Sequence, residues 1–268
     1  MEENYVFMTV LSNEKYIAGV KALKKSLERV KSKYKLAILV PEEEKKELIE
    51  VLIKKHILNN DCFVCSQPQL KVEIPPECRF NDHHYWENTF FKLRVANCTE
   101  FSKIVMLDSD MLILKNIDHL FDSPHYTAVN HPSINKEWVK LNSGLMVICP
   151  SNNFHTTLIN NIIPTIRKRY EEKRRTSDQD VFQETFSDWE NHKELILPEK
   201  YNAFYEDIYK LSKKQKYDRD DFYVVHFIGE SKPFTRNWKE NTRILLSKLK
   251  RGKFWSFYIY LRYLIYCI

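Results

Sequence analysis

Apolar residues in the N-terminal part of the chain alternate between short continuous runs and runs at helical spacing. Residues 5–11 (YVFMTVL) read as a β-strand. Ile17, Val20, Leu23, Leu27 and Val30 then recur at the spacing of one helix face within 14–30. The continuous run LAILV at 36–40 stops at Pro41, as expected of a strand buried on both faces, and 42–56 predicts a second helix. Strand, helix, strand, helix implies a βαβ unit and a mostly parallel sheet.

The pattern continues through the middle of the chain. It predicts a helix over 84–98, a strand over 103–107 (KIVML), a loop over 140–144 and a strand over 145–149 (LMVIC). A helix follows over 151–170, with a kink expected at Pro164, and the strand FYVVHF at 222–227 runs into Gly229. There is no internal repeat and no low-complexity segment before residue 239. The expectation is one α/β domain with a mixed, mostly parallel sheet flanked by helices.

Composition narrows the class. At 268 residues and 43% hydrophobic, the chain can bury a large core. A net charge of +6 suits anionic partners without selecting one. No apolar run approaches the roughly 20 residues that span a bilayer. Residues 1–4 are acidic and lack the basic region of a signal peptide, so a cytoplasmic chain is expected. Six cysteines are too sparse for a disulfide scaffold. Cys62 and Cys65 form a C-x-x-C, but without a second ligand pair or a following helix start they read as reduced thiols on a strand.

The sharpest chemical signal is the strand at 103–107 ending in Asp108, Ser109 and Asp110. Residues i and i+2 of extended backbone point to the same side, so both carboxylates can converge on one cation. They lie at the carboxyl end of a strand, where open α/β sheets bind ligands. Carboxylates are hard ligands for Mg²⁺ or Mn²⁺, which bridge readily to phosphate. The plain alternative is a solvated turn. A haloacid-dehalogenase-type phosphatase carries its D-x-D on the first strand, followed by Gly/Val–Thr; here Met111 and Leu112 follow. A phosphate-binding G-x-x-x-x-G-K-[ST] loop is absent, as only four glycines occur in the chain. Scarcity makes each glycine informative: a position that needs positive φ or close backbone approach. Gly144 follows Asn142 and Ser143, and Gly229 stands between His226 and Lys232, an imidazole and an ammonium suited to a metal and a phosphate. Asp178, Gln179 and Asp180 open a helix after the basic run 167–175, a placement that helix capping alone would explain.

Taken in order, these segments resemble glycosyltransferase family 8, the glycogenin-like nucleotide-sugar transferases. The resemblance covers about residues 5–238. It rests on TVLSNEKY at 9–16, FKL at 91–93, MLDSD at 106–110, LNSG at 141–144, SDQ at 177–179 and HFIGESKP at 226–233. Each is weak alone; six in order are specific.

The resemblance implies a Rossmann-like fold of the GT-A type, with Mn²⁺ (or Mg²⁺) held by Asp108, Asp110 and His226. It places the uracil against Tyr16, with Val10, Ser12 and Asn13 around base and ribose and Ser109 at the ribose. Lys92 and Lys232 would clamp diphosphate and sugar, and Gly229 would offer its backbone to phosphate. Asn142, Ser143, Asp178 and Gln179 would line the sugar, with Asp178 and Gln179 the candidate catalytic groups. Family members often carry an acid where Arg175 stands, so the sugar is left open. No motif marks a self-glucosylated tyrosine; Tyr205 and Tyr209 are not given that role.

The expected activity is retaining transfer of a hexose, glucose or galactose, from a UDP-sugar to a carbohydrate, protein or lipid-linked acceptor. A catalytically inactive nucleotide-sugar-binding module is the alternative. Nucleic acid is not an expected partner, because no reader motif accompanies the basic residues. A homodimer is left open. Residues 1–238 would form the catalytic domain and 239–268 a basic, aromatic-rich tail. With Lys239, Arg243, Lys248, Lys250, Arg251 and Lys253 leading into FWSFYIYLRYLIYCI, the tail predicts either peripheral attachment to an anionic membrane or a strand or helix packed on the domain or on a second subunit.

Overall fold

The alternating pattern produces layers. The computed structural model describes residues 4–80, 85–229 and 231–268. Strand β1 (Tyr5–Val10) leads through a short 3₁₀ turn (Glu14–Tyr16) into helix α1 (Ile17–Arg29). Next come β2 (Lys35–Pro41), α2 (Lys45–Lys54) and β3 (Cys62–Gln67). After a 3₁₀ stretch over Tyr85–Asn97 the chain forms β4 (Lys103–Leu107), β5 (Met111–Ile113), β6 (Ala128–Val129) and β7 (Asn142–Ile148). Helices α3 (Asn152–Glu171) and α4 (Asp178–Thr185) precede β8 (Ile196–Leu197), β9 (Ala203–Phe204), α5 (Ile208–Gln215) and β10 (Val224–His226). Helices α6 (Trp238–Lys250) and α7 (Phe254–Cys267) close the chain.

Among the described residues the main sheet runs β3-β2-β1-β4-β7-β6-β8. Only β7 opposes its neighbours, so the sheet is mixed and mostly parallel. A second sheet runs β5-β10-β9. Side chains alternate across the main sheet. Met8, Leu39 and Met106 pack with Leu158 and Ile162 of α3 on one face. Phe7, Ile38 and Val105 pack with Val20 and Leu23 of α1 and Leu48 of α2 on the other. Burial on both faces explains why these strands read as unbroken apolar runs.

Three expectations shift. The helix expected over 84–98 begins outside the described residues, and its remainder winds as 3₁₀ turns. Phe90, Phe91, Leu93, Val95 and Ala96 are all buried, so this segment needs no single apolar stripe. The loop expected over 140–144 is half strand: β7 starts at Asn142, which places the Asn142–Gly144 motif on the sheet itself. The strand expected over 222–227 shortens to Val224–His226. Helix α3 continues through Pro164.

The C-terminal segment packs on the domain. Ile259, Tyr260 and Tyr263 of α7 are buried with Ala22 of α1 and with Val225 and Phe227. Tyr263 stacks on Phe227 at 4.1 Å between ring centroids. Tyr260 donates to Asn241 at 2.6 Å and accepts from Arg236 at 3.1 Å. Among the described residues no helix is long and apolar enough to cross a membrane.

Candidate functional site

The turn joining β4 to β5 is fixed from two sides. The Asp108 N–H donates to the Gly144 carbonyl of β7 at 2.9 Å, and the Phe227 N–H donates to the Asp110 carbonyl at 3.0 Å. Because β5 pairs with β10, Met111 lies opposite His226. A local D-x-D is thereby joined by a third potential ligand from a segment far away in sequence. Asp108, Asp110 and His226 offer ligand atoms that all lie within 4.8 Å of one another, and they form the one such group of three or more among the described residues.

The orientation of the His226 ring follows from hydrogen bonds that start at the backbone. Gly144 N–H donates to Asn142 Oδ1 at 3.0 Å, and Ser143 N–H donates to Gln179 Oε1 at 3.2 Å. A backbone N–H only donates, so both acceptors are oxygens. Asn142 Nδ2 then donates to Gln179 Oε1 at 2.9 Å, and Asn202 Nδ2 donates to Asn142 Oδ1 at 2.7 Å. That leaves Asn202 Oδ1, 2.9 Å from His226 Nδ1, as an acceptor. Nδ1 therefore carries a hydrogen. Nε2 faces the acids, 3.0 Å from Asp110 Oδ1 and 3.7 Å from Asp108 Oδ2. A proton or a cation has to stand between these electron-rich atoms. Two carboxylates with one imidazole fit a divalent ion, and imidazole favours Mn²⁺ over Mg²⁺.

Two lysines complete the charge balance. Lys92 Nζ lies 2.6 Å from Asp108 Oδ1 and 3.5 Å from Asp178 Oδ2. Lys232 Nζ pairs with Asp110 Oδ2 and donates to the Phe227 carbonyl at 3.0 Å. Burial disfavours ionised Asp110, but the charges and hydrogen bonds of His226 and Lys232 outweigh it and hold the carboxyl well below the usual carboxylate range. For Lys92, burial opposes the charge; Asp108 and Asp178 overcome it and raise the ammonium's pKa. Asp178 is raised by burial and by the Asp108 charge, against Lys92 and a 2.9 Å hydrogen bond from Ser143.

Helix α4 delivers Asp178 and Gln179. The helix opens at Asp178 as expected, with Ser177 as its cap: Asp180 accepts from the Ser177 backbone at 2.9 Å in a capping box. Arg169 of α3 reaches Asp180 at 2.9 Å and Glu184 at 2.8 Å, tying the start of α4 to α3. The polar end of α4 is thus held towards β7, where Gln179 meets Asn142 and Ser143.

All fifteen residues expected at the site line one cavity or its metal group. The cavity has a volume of about 1210 Å³, and it includes Val10, Ser12, Asn13 and Tyr16 at the β1 end and Ser109, Gly229 and Lys232 near the metal group. Tyr16 meets Phe234 edge-on at 5.9 Å. Asn13 also caps the 3₁₀ turn, accepting from Lys15 N–H at 3.1 Å. Gly229 has φ +99°. Glu230, within the 226–233 motif, lies outside the described residues. Gly19 and Gly144 serve close approach: a Cβ at Gly19 would lie 2.5 Å from the Ser109 carbonyl, and one at Gly144 would lie 2.8 Å from the His226 ring. Sequence reasoning missed Asn202, His131, Trp138 and Phe204. A buried asparagine leaves no periodic trace, and the aromatic residues look like ordinary core or loop. The C-x-x-C lies away from the cavity, with all cysteines free and Cys62 pushed up to about 12 by burial.

Residues 7–242 match the family model described as Glycosyl transferase family 8. Human glycogenin-2 is 27% identical over 251 residues, covering 88% of this chain and 44% of that protein. Galactinol synthase 3 of Arabidopsis thaliana is 31% identical over 142 residues, covering 51% and 40%. The chain thus spans less than half the length of either relative. The galactosyltransferase LgtC, solved with donor and acceptor sugar analogs, superposes with a TM-score of 0.57 at 14% identity, covering 87% of this chain and 91% of that one. The streptococcal glycosyltransferase GlyE gives 0.58 at 17% identity, over 88% and 57%. The fold is of the GT-A type.

Proposed function

The chain belongs to glycosyltransferase family 8, and from that premise we propose that it transfers a hexose, glucose or galactose, from a UDP-sugar with retention of configuration. The observation that carries the reading is the orientation of His226: with Nδ1 donating to Asn202, Nε2 is turned towards the two carboxylates. Asp108, Asp110 and His226 would hold Mn²⁺, with Mg²⁺ second. When bound, the ion neutralises the diphosphate leaving group. Lys92 and Lys232 would carry the remaining phosphate charge, and the β1 end, with Tyr16, Val10, Ser12 and Asn13, would hold the uridine. Ser109 would meet the ribose and Gly229 the phosphate. Asn142, Ser143, Asp178 and Gln179 would line the hexose. Asp178 or Gln179 faces the anomeric carbon and stabilises its oxocarbenium-like transition state. The acceptor oxygen bonds to that carbon as its bond to the diphosphate oxygen breaks; the electron pair leaves on UDP, and the acceptor proton passes to UDP or water. Retention is supported by the family alone.

The test is hydrolysis of a panel of UDP-sugars with Mn²⁺, with Mg²⁺ and with EDTA. Turnover should be lost in EDTA and in Asp108→Asn and Asp110→Asn, both folded, since one hard ligand contributes several kcal/mol to the transition state. Full activity in EDTA would refute it. UDP binding without turnover of any donor would identify the inactive binding module instead.

The outer face of α6 and α7 supports peripheral attachment to an anionic bilayer. Trp238, Phe254, Tyr258 and Ile265 are exposed there among basic residues. Liposome co-sedimentation with and without anionic lipid tests it. Phe254→Ser with Tyr258→Ser should release the chain; binding equal to wild type would discard attachment.

A further inference from the structure

Trp138 is an exposed aromatic ring in the wall of the catalytic cavity, with 46% of its surface in water. It belongs to the segment between β6 and β7. In the main sheet that segment lies on one side of β4, which carries the acids, while β1 with the uridine-side residues lies on the other. The cavity therefore runs from Tyr16, past Asp108 and Asp110, to Trp138.

The backbone that carries the ring is anchored: the Trp138 backbone N–H donates to the Asn135 carbonyl at 2.9 Å, and the Trp138 carbonyl accepts from the His131 backbone N–H at 3.0 Å. Phe204 lies edge-on to Trp138 at 6.3 Å and is itself 5.9 Å from the His226 ring. His131 stacks beneath Phe204 at 3.9 Å. One buried aromatic ring thus separates Trp138 from the metal group. Glu137, Lys140 and Asn142 line the same stretch of wall.

A flat apolar face on an anchored segment, rimmed by hydrogen-bonding groups, matches a pyranose, which is apolar over its C–H face and polar at its edge. On the proposed reading the uridine takes the Tyr16 end of the cavity, and the donor hexose lies between the metal group and Gln179. The remaining occupant of a transferase cavity is the acceptor. We propose that Trp138 is the platform of an acceptor subsite and that the acceptor presents a pyranose ring stacked on it. This rests on the transferase reading above.

The probes are methyl α- and β-glucosides, methyl galactosides, maltose and lactose, tested with the full chain in the presence of UDP and Mn²⁺. Saturation-transfer NMR should mark ring protons of at least one saccharide. Trp138→Ala should lose that signal or weaken binding at least tenfold, while Trp138→Phe keeps most of it. UDP affinity of Trp138→Ala, read by calorimetry, should stay within about threefold of wild type, which also shows that the variant is folded. Saccharide binding equal in wild type and Trp138→Ala, or no saccharide bound by wild type, overturns the proposal. So does a parallel collapse of UDP affinity in Trp138→Phe, which would place the ring in the donor site. Failure of the transferase reading is separate: wild type would then hydrolyse no UDP-sugar.

Discussion

Asn202 and His226 share a hydrogen bond of 2.9 Å, between an amide oxygen and Nδ1, that decides which imidazole nitrogen faces the two aspartates. Asn202→Ala should leave the ring free to rotate or change tautomer. Mn²⁺ affinity should fall about 10- to 100-fold, the usual effect of losing a partner behind a metal ligand. Asn202→Asp keeps an acceptor for Nδ1 but cannot donate to Asn142, so it should recover metal affinity more than turnover. Titration followed by electron paramagnetic resonance measures the first quantity and donor hydrolysis the second. Unchanged Mn²⁺ affinity in Asn202→Ala would remove the role assigned here.

Tyr16 should report on the base. If the uracil stacks on this ring, Tyr16→Ala weakens UDP binding by about 1–3 kcal/mol. Calorimetry with UDP and Mn²⁺ gives the answer. Wild-type affinity in the variant would move the nucleotide away from the β1 end.

Gly19 offers a sharper test of packing. In an ordinary helix Gly→Ala gains about 1 kcal/mol. Here the new Cβ would meet the Ser109 carbonyl at 2.5 Å and the Phe234 ring at 2.9 Å. A carbonyl in the turn between two strands has little room to retreat. Gly19→Ala should instead destabilise by about 1–3 kcal/mol and shift the turn that carries the acids. Denaturation midpoints and Mn²⁺ titration should move together; a stabilised variant would show that the contact relaxes freely.

His125 sets a pH dependence. Burial pushes its imidazole down to about 4, and Nδ1 accepts from the Cys149 N–H at 3.0 Å, which requires that nitrogen unprotonated. In the unfolded chain a histidine titrates near 6.5. Between these values the unfolded state binds more protons, so stability falls as pH drops from about 6.5 towards 4. His125→Asn removes the titrating group, and its loss of stability over that window should be smaller by roughly 2 kcal/mol. Equal slopes in the two proteins would mean that folding does not lower the affinity of His125 for its proton.

The strands that build the sheet were legible because burial on both faces writes itself as unbroken apolar runs, as at 36–40 and 103–107. The acids were legible because a D-x-D closing such a run has few structural uses. What could not be read was lateral. Nothing near Asn202 announces that its amide spans His226 and Asn142, for hydrogen bonds between distant segments have no period. Trp138 gave no signal because one exposed aromatic is ordinary on any surface, and only its place in the cavity wall separates it from the rest. The stretch at 85–97 misled because it is apolar enough for a helix, yet core residues on several faces let it wind more tightly.

Tyr263, stacked on Phe227 one residue beyond His226, makes helix α7 part of the packing behind the proposed metal site. Deleting the tail would therefore confound two experiments in one: a shortened protein that no longer sediments with vesicles would also have lost the wall behind a ligand. The two roles can be separated at exposed positions of α7, Phe254, Tyr258 or Ile265, with Tyr260 and Tyr263 left in place.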